Sequence, residues 1–216
     1  FDTYNDEFVE KKQTISYVER QGDETTRFAN EWLETHQDEP FFLFVHYYDP
    51  HQTYDPPAPF SLTFATNLYA GEIAFTDHCV GQVIKKLKQL DLYDSTLIIV
   101  TSDHGEMLGE HGEPTHSYFI YQAAIKVPLV VRLPGGSAKP RQVDDLVGIV
   151  DIVPTVCSLL DVEIPSAVQG IDLSAYLNNE KPAVPHDYLY CESLVPTKYN
   201  DDLNPLLGLV TRDNFK

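Results

Sequence analysis

Residues 95–112 read STLIIVTSDHGEMLGEHG, and this stretch decides the fold. A short apolar run, Thr96-Leu97-Ile98-Ile99-Val100, passes directly into Thr101-Ser102-Asp103-His104-Gly105. Such a run, without alternation, suits a strand covered on both faces, as in a parallel sheet. The same pattern occurs at 41–45 (FFLFV), between Pro40 and Asp49-Pro50, and at 128–133 (PLVVRL), ended by Pro134-Gly135-Gly136. Residues 187–191 and 207–212 are weaker strand candidates. Helical periodicity falls between these runs. Residues 24–38 place Phe28, Trp32 and Leu33 on one face. Residues 67–90 carry an apolar stripe of Ile73, Val80, Ile84 and Leu87, with Lys85, Lys86 and Lys88 outside. Residues 150–160 read as a helix with Pro154 in its first turn, where proline is tolerated. The proline- and aromatic-rich segment 52–65 reads as an ordered loop. Strands alternating with helices predict an α/β/α sandwich with a mainly parallel sheet. Ligands of such sheets sit beyond the carboxyl ends of the strands.

The composition permits this architecture. Of 216 residues, 43% are hydrophobic and 12% aromatic, ample for a real core. The 33 Asp and Glu against 15 Lys and Arg give a net charge of −18, which repels a phosphate backbone and argues against nucleic acid as a partner. An anionic small-molecule substrate would then need a metal ion or a local cationic cluster at its site. Cys79, Cys157 and Cys191 are too few and too scattered for a disulfide framework and match no CxxC metal pattern. Cys79 and Cys157 fall in helical apolar patterns and read as buried small hydrophobes. No apolar run approaches the ~18 residues of a membrane span. The sequence opens at Phe1-Asp2 and stops at Asn214-Phe215-Lys216 in mid-pattern, which reads as a trimmed chain.

Residues able to bind metal or move protons gather behind two of the strands. His46, Asp49 and His51 follow the first; Asp103, His104, Glu106, Glu110, His111 and His116 follow the second. A carboxylate and an imidazole at adjacent positions are sensible ligands for Ca²⁺, Mg²⁺, Mn²⁺ or Zn²⁺, and Gly105 supplies the permissive dihedral angles for a sharp bend. Asp103-His104 alone is equally what a capping Asp beside a surface histidine looks like. His51, held by Pro50, could contact an anionic oxygen or protonate a leaving alkoxide, or simply be solvated. His46 reads as a satisfied core histidine. Glu106, Glu110 and Glu113 read as a solvated acidic loop before a metal cluster, and Lys126 as an outer cap of the third strand.

In their order along the chain, these passages resemble the sulfatase family of the alkaline-phosphatase-like superfamily. They are FFLFVHYYDPHQTYDPP (41–57), YAGEIAFTDHCVGQVIKKL (69–87), STLIIVTSDHGEMLGEHG (95–112), HSYFIYQAAIKVPLVVRLPG (116–135) and VDIVPTVCSLLDVEIPSAVQG (150–170). The resemblance implies a sulfatase-type catalytic domain over 1–171 and the start of a smaller C-terminal part over 172–216. It implies that Asp103 and His104 are two of the metal ligands, normally for Ca²⁺, with Mn²⁺ or Zn²⁺ in related phosphonate and phosphate ester hydrolases. His51 matches the histidine of a His-x-Pro-like segment, with Thr53 where proline is common. His116 lies close to where many sulfatases carry an active-site lysine. The implied reaction is hydrolysis of a small-molecule or glycan sulfate ester. Its alternatives are a phosphodiester or phosphonate hydrolase, a phosphoglycerol transferase, and a non-catalytic binding protein. The family's nucleophile, a formylglycine made within Cys/Ser-x-Pro-x-Arg, has no counterpart here: Cys79 is followed by VGQV, Cys157 by SLLD and Cys191 by ESLV. By this resemblance the chain is the middle and later part of an exported enzyme and inactive by itself.

Overall fold

The computed structural model describes residues 2–6, 12–13, 18–136, 140–178, 180, 186–199 and 204–212. The chain divides into two compact units, Phe1–Thr96 and Leu97–Lys216.

In the first unit, β1 (Lys12–Gln13) and β2 (Val18–Glu19) form a two-residue antiparallel ladder. Helix α1 (Gly22–Thr35) follows, with Asp23 and Glu24 in its first turn, where the helix dipole favours negative charge. Its buried line is Gly22, Thr26, Ala29 and Leu33, so Leu33 keeps its predicted place while Phe28 and Trp32 sit only half-buried beside it. A short helix, α2 (Phe60–Thr63), interrupts the proline-rich segment. Helix α3 (Leu68–Gln89) starts where the Asn67 side chain accepts the Ala70 N–H at 3.0 Å. It packs on α1 and α2. Its buried residues are Gly71, Glu72, Phe75, Cys79 and Leu87. This corrects the predicted stripe: Leu87 is buried, whereas Ile73 is 45% exposed. Periodicity located the helix, but the small Gly71 and Cys79 mark the face on which neighbouring chain approaches. A Cβ on Gly71 would come within 2.8 Å of Pro56 Cγ.

The 41–45 run is also corrected. It joins no ladder among the described residues, and Phe42 and Phe44 are each 69% exposed. His46 is exposed rather than a core histidine. An apolar run encodes a wish for burial on both faces; it does not contain the neighbouring strands that would provide it.

In the second unit, β3 (Ile98–Thr101) pairs with β4 (Leu129–Arg132), from Ile98↔Arg132 to Thr101↔Leu129. A short helix, α4 (Gln122–Ile125), lies between them. The single-turn 3-10 segment Ile149–Asp151 leads into α5 (Ile152–Leu159), with Pro154 in its first turn as predicted. Then come α6 (Ser174–Leu177), β5 (Tyr188–Ser193), α7 (Val195–Tyr199) and β6 (Leu206–Thr211). The weaker strand candidates thus form a full ladder, Tyr188↔Thr211 to Ser193↔Leu206. All three ladders among the described residues are two-stranded and antiparallel, so they do not supply the parallel sheet that the sequence pattern predicts. Strand direction is set by which neighbours meet, a choice that an unbroken apolar run leaves unspecified.

Asp151 holds the later part of this unit together. Its fully buried carboxylate accepts the N–H groups of Gly148 and Ile171, each at 2.8 Å, and contacts His186 Nε2 at 2.8 and 3.0 Å. A Cβ on Gly170 would lie 2.0 Å from the Val150 carbonyl oxygen, so that close crossing requires glycine.

Candidate functional site

Strand β3 ends at Thr101, whose hydroxyl donates to the Pro128 carbonyl at 2.8 Å. The chain then bends. Ser102 Oγ donates to the His104 carbonyl at 2.6 Å, and the Gly105 N–H donates to the Ala124 carbonyl at 2.8 Å. Gly105 is needed here for a reason other than the predicted one. Its φ is not positive, but a Cβ would stand 2.0 Å from the Ala123 carbonyl oxygen. Close backbone approach, rather than a left-handed turn, fixes the bend between β3 and α4.

On this bend, Asp103 and His104 present a carboxylate and an imidazole to one place. His104 Nδ1 lies 2.8 Å from the Gly105 carbonyl oxygen. A carbonyl only accepts, so Nδ1 carries the hydrogen, and in the neutral ring Nε2 is the nitrogen with the lone pair. Nε2 stands 3.7 Å from Asp103 Oδ2, with the Asp103 side chain 75% exposed and His104 39%. Two ligand atoms held by one ion at about 2.4 Å, roughly 100° apart, are separated by about 3.7 Å. The anchored Nδ1–H is also the usual arrangement of a metal-ligating histidine. The pair therefore fits as two ligands of a divalent ion. Among the described residues no third His, Cys, Asp or Glu joins them to complete a site.

His116 is brought to the same place from the following loop. Its ring stacks on His104 with centroids 3.9 Å apart at 24°. Its Nδ1 lies 3.1 Å from Glu106 Oε1, and its backbone N–H donates to the same oxygen at 2.7 Å. Glu106 corrects the sequence reading of a solvated acidic loop, since its side chain is only 5% exposed. No local pattern distinguishes Glu106 from Glu110 and Glu113; its partner is ten positions away. Glu110 does lie in solvent, where the Leu108 N–H, at 2.6 Å, holds its carboxyl below the ordinary range. His111 turns away to stack on Tyr121 at 4.0 Å. Lys126 is exposed, as expected of an outer cap.

His51 belongs to the first unit. Its loop is tied to α3 on both sides: Thr76 Oγ1 donates to the Asp49 carbonyl at 3.2 Å, and Asp55 N–H donates to Glu72 Oε1 at 2.6 Å. The ring packs against Tyr48, with centroids 4.5 Å apart. Nδ1 lies 2.7 Å from the Gln52 carbonyl oxygen, so it carries the hydrogen. The histidine is thus held in orientation, not merely carried on a solvated turn.

Comparison with known proteins gives these residues a context. The family model "Sulfatase" matches residues 1–162. Arylsulfatase K of Mus musculus is 38% identical over 111 residues, covering 51% of this chain and 20% of that protein. Steryl-sulfatase of Rattus norvegicus is 31% identical over 181 residues, covering 76% of this chain and 31% of its own length. The chain thus spans less than a third of either relative. Among solved structures, a phosphonate monoester hydrolase from Silicibacter pomeroyi superposes with a TM-score of 0.71 at 22% identity, over 88% of this chain and 54% of that one. A protein solved with its substrate D-glucosamine-2-N,6-O-disulfate superposes with a TM-score of 0.67 at 19% identity, over 92% and 60%. At such identities the likeness establishes a shared fold, that of the alkaline-phosphatase-like hydrolases.

Proposed function

The chain belongs to the sulfatase family, and from that premise we propose that it forms part of a metal-dependent hydrolase of sulfate esters. Asp103 and His104 would hold the divalent ion, Ca²⁺ by family resemblance, with Mn²⁺ or Zn²⁺ also suited to a site containing imidazole. When bound, such an ion polarises the ester and neutralises charge on its oxygens. The observation that carries the reading is the convergence of Asp103, His104 and His116 on the bend after β3, in a chain of this family.

The chain's own residues then have distinct tasks. His104, with Nδ1 fixed on the Gly105 carbonyl, keeps Nε2 available as a ligand. His116, with Nδ1 directed at Glu106, would turn Nε2 to an ester oxygen and, when protonated, donate from it. His51 likewise has Nδ1 on a carbonyl, and by family resemblance would contact the sulfate or the leaving oxygen. The nucleophile, expected to be a formylglycine, is assigned to a Cys/Ser-x-Pro-x-Arg motif that these 216 residues do not contain. Local positive charge from the ion and histidines would offset the chain's net charge of −18 toward an anionic ester. The relatives' names support sulfated small molecules or glycans as the substrate class.

The test uses the full-length protein with a chromogenic aryl sulfate and the matching aryl phosphonate. Sulfate release that a chelator abolishes and added Ca²⁺ or Mn²⁺ restores is the expected result. Turnover dominated by the phosphonate would favour the second reading, to which the phosphonate hydrolase likeness points. Neither turnover nor divalent-ion binding would leave a binding protein on a hydrolase fold.

A further inference from the structure

Glu106 is set apart from the acidic residues around it by what it holds. A single oxygen, Oε1, faces the His116 N–H at 2.7 Å, the Met107 N–H at 3.1 Å, His116 Nδ1 at 3.1 Å and the Thr115 hydroxyl at 3.2 Å. With 5% of its side chain exposed, Glu106 is poorly placed to meet a substrate or an ion itself. We propose that Glu106 is the positioning residue for His116: it fixes the tautomer and the orientation of that imidazole, so that Nε2 is the atom offered to the ester. This rests on the reading of His116 as a group that acts on the ester.

The physical basis is the number of degrees of freedom removed. A neutral imidazole has two tautomers, and an ionised carboxylate beside Nδ1 only accepts, so it selects Nδ1–H. The bond from the His116 backbone N–H to the same oxygen ties main chain and ring to one point. Stacking on His104 at 3.9 Å limits rotation of the ring out of that plane. His104 is itself anchored through its Nδ1. Two neighbouring imidazoles are thus held through Nδ1, one by a carbonyl and one by a carboxylate.

The test compares wild type, Glu106→Ala, Glu106→Gln, His116→Ala and the double variant Glu106→Ala/His116→Ala in the full-length protein. Turnover of an aryl sulfate is read alongside side-chain ¹⁵N spectra of histidine-labelled protein, which distinguish Nδ1–H from Nε2–H. Glu106→Ala is expected to lower kcat about 10- to 100-fold while KM changes little, and to shift His116 away from Nδ1–H. Glu106→Gln, whose amide oxygen still accepts, should fall between Ala and wild type. The double variant should be no slower than His116→Ala alone, because a positioning residue acts only through the group it positions. Unchanged kcat per folded molecule in Glu106→Ala, with only thermal stability reduced, would overturn the proposal. So would finding His116 as Nε2–H in the wild type, a result that needs no variant to fold. If His116→Ala itself leaves turnover intact, the ester role of His116 has failed, and the tautomer spectra alone decide whether Glu106 sets it.

Discussion

Asp103 and Cys79 show how differently single side chains use the same acidic chain. Asp103 is open to solvent and stands 3.7 Å from the free nitrogen of His104, so its value lies in what it can bind. Asp103→Ala in the full-length protein is expected to lower divalent-ion affinity and aryl sulfate turnover together, each at least about 100-fold. Calorimetric titration with Ca²⁺ and Mn²⁺ checks the first and steady-state kinetics the second; undiminished turnover would remove Asp103 from the ligand set. Cys79 is the opposite case. Only 1% exposed, it has its thiol pushed up to about 11, first by burial and then by Asp23 and Asp49 nearby. A thiol raised in this way favours folding fully below the unfolded-state value of about 8.5, and that contribution declines as pH rises toward 11. Native Cys79 should therefore resist alkylation at pH 8 and react on unfolding, as peptide mass spectrometry would show; rapid native labelling would contradict the burial.

At the scale of elements, the informative feature is how loops are pinned to helices. The Asp49–Asp55 segment carrying His51 is held at both ends by α3, and the bend after β3 is held against α4 through Gly105. The 3-10 turn before α5 is pinned by Asp151, which gathers Gly148, Ile171 and His186 around one buried carboxylate. Replacing it with Ala leaves those donors buried without their acceptor. Asp151→Ala should cost about 3–5 kcal/mol of stability in denaturant unfolding, and Asp151→Asn distinctly less, because its amide oxygen still accepts. Equal, small losses in both variants would show that the three segments are held by packing alone. None of these pins was readable beforehand. Glu72, Glu106 and Asp151 look like any other acidic residue until the chain folds them against partners 17, 10 and 35 positions away.

Across the whole molecule, the described surface retains large apolar side chains: Phe42 and Phe44 at 69% exposure, Leu207 at 61% and Val130 at 60%. Large apolar side chains exposed on one short stretch, as at Phe42 and Phe44, favour association with other polypeptide. The 216-residue chain expressed by itself should therefore bind an apolar fluorescent dye and self-associate in sedimentation; a monodisperse, dye-silent monomer would contradict this. Much was legible from the sequence. The helices near 22–35, 68–89 and 152–159, the strands at 98–101, 129–132, 188–193 and 206–211, and the family itself follow from periodicity, apolar runs and the order of motifs. These are local or collinear features, and a single chain carries them complete. The tertiary structure alone decided which face of α3 is buried, that β3 and β4 run antiparallel, that 41–45 finds no partner among the described residues, and that Glu106 is a buried anchor for His116. Each depends on which distant residues meet, and side-chain identity at one position does not encode the distance to its partner.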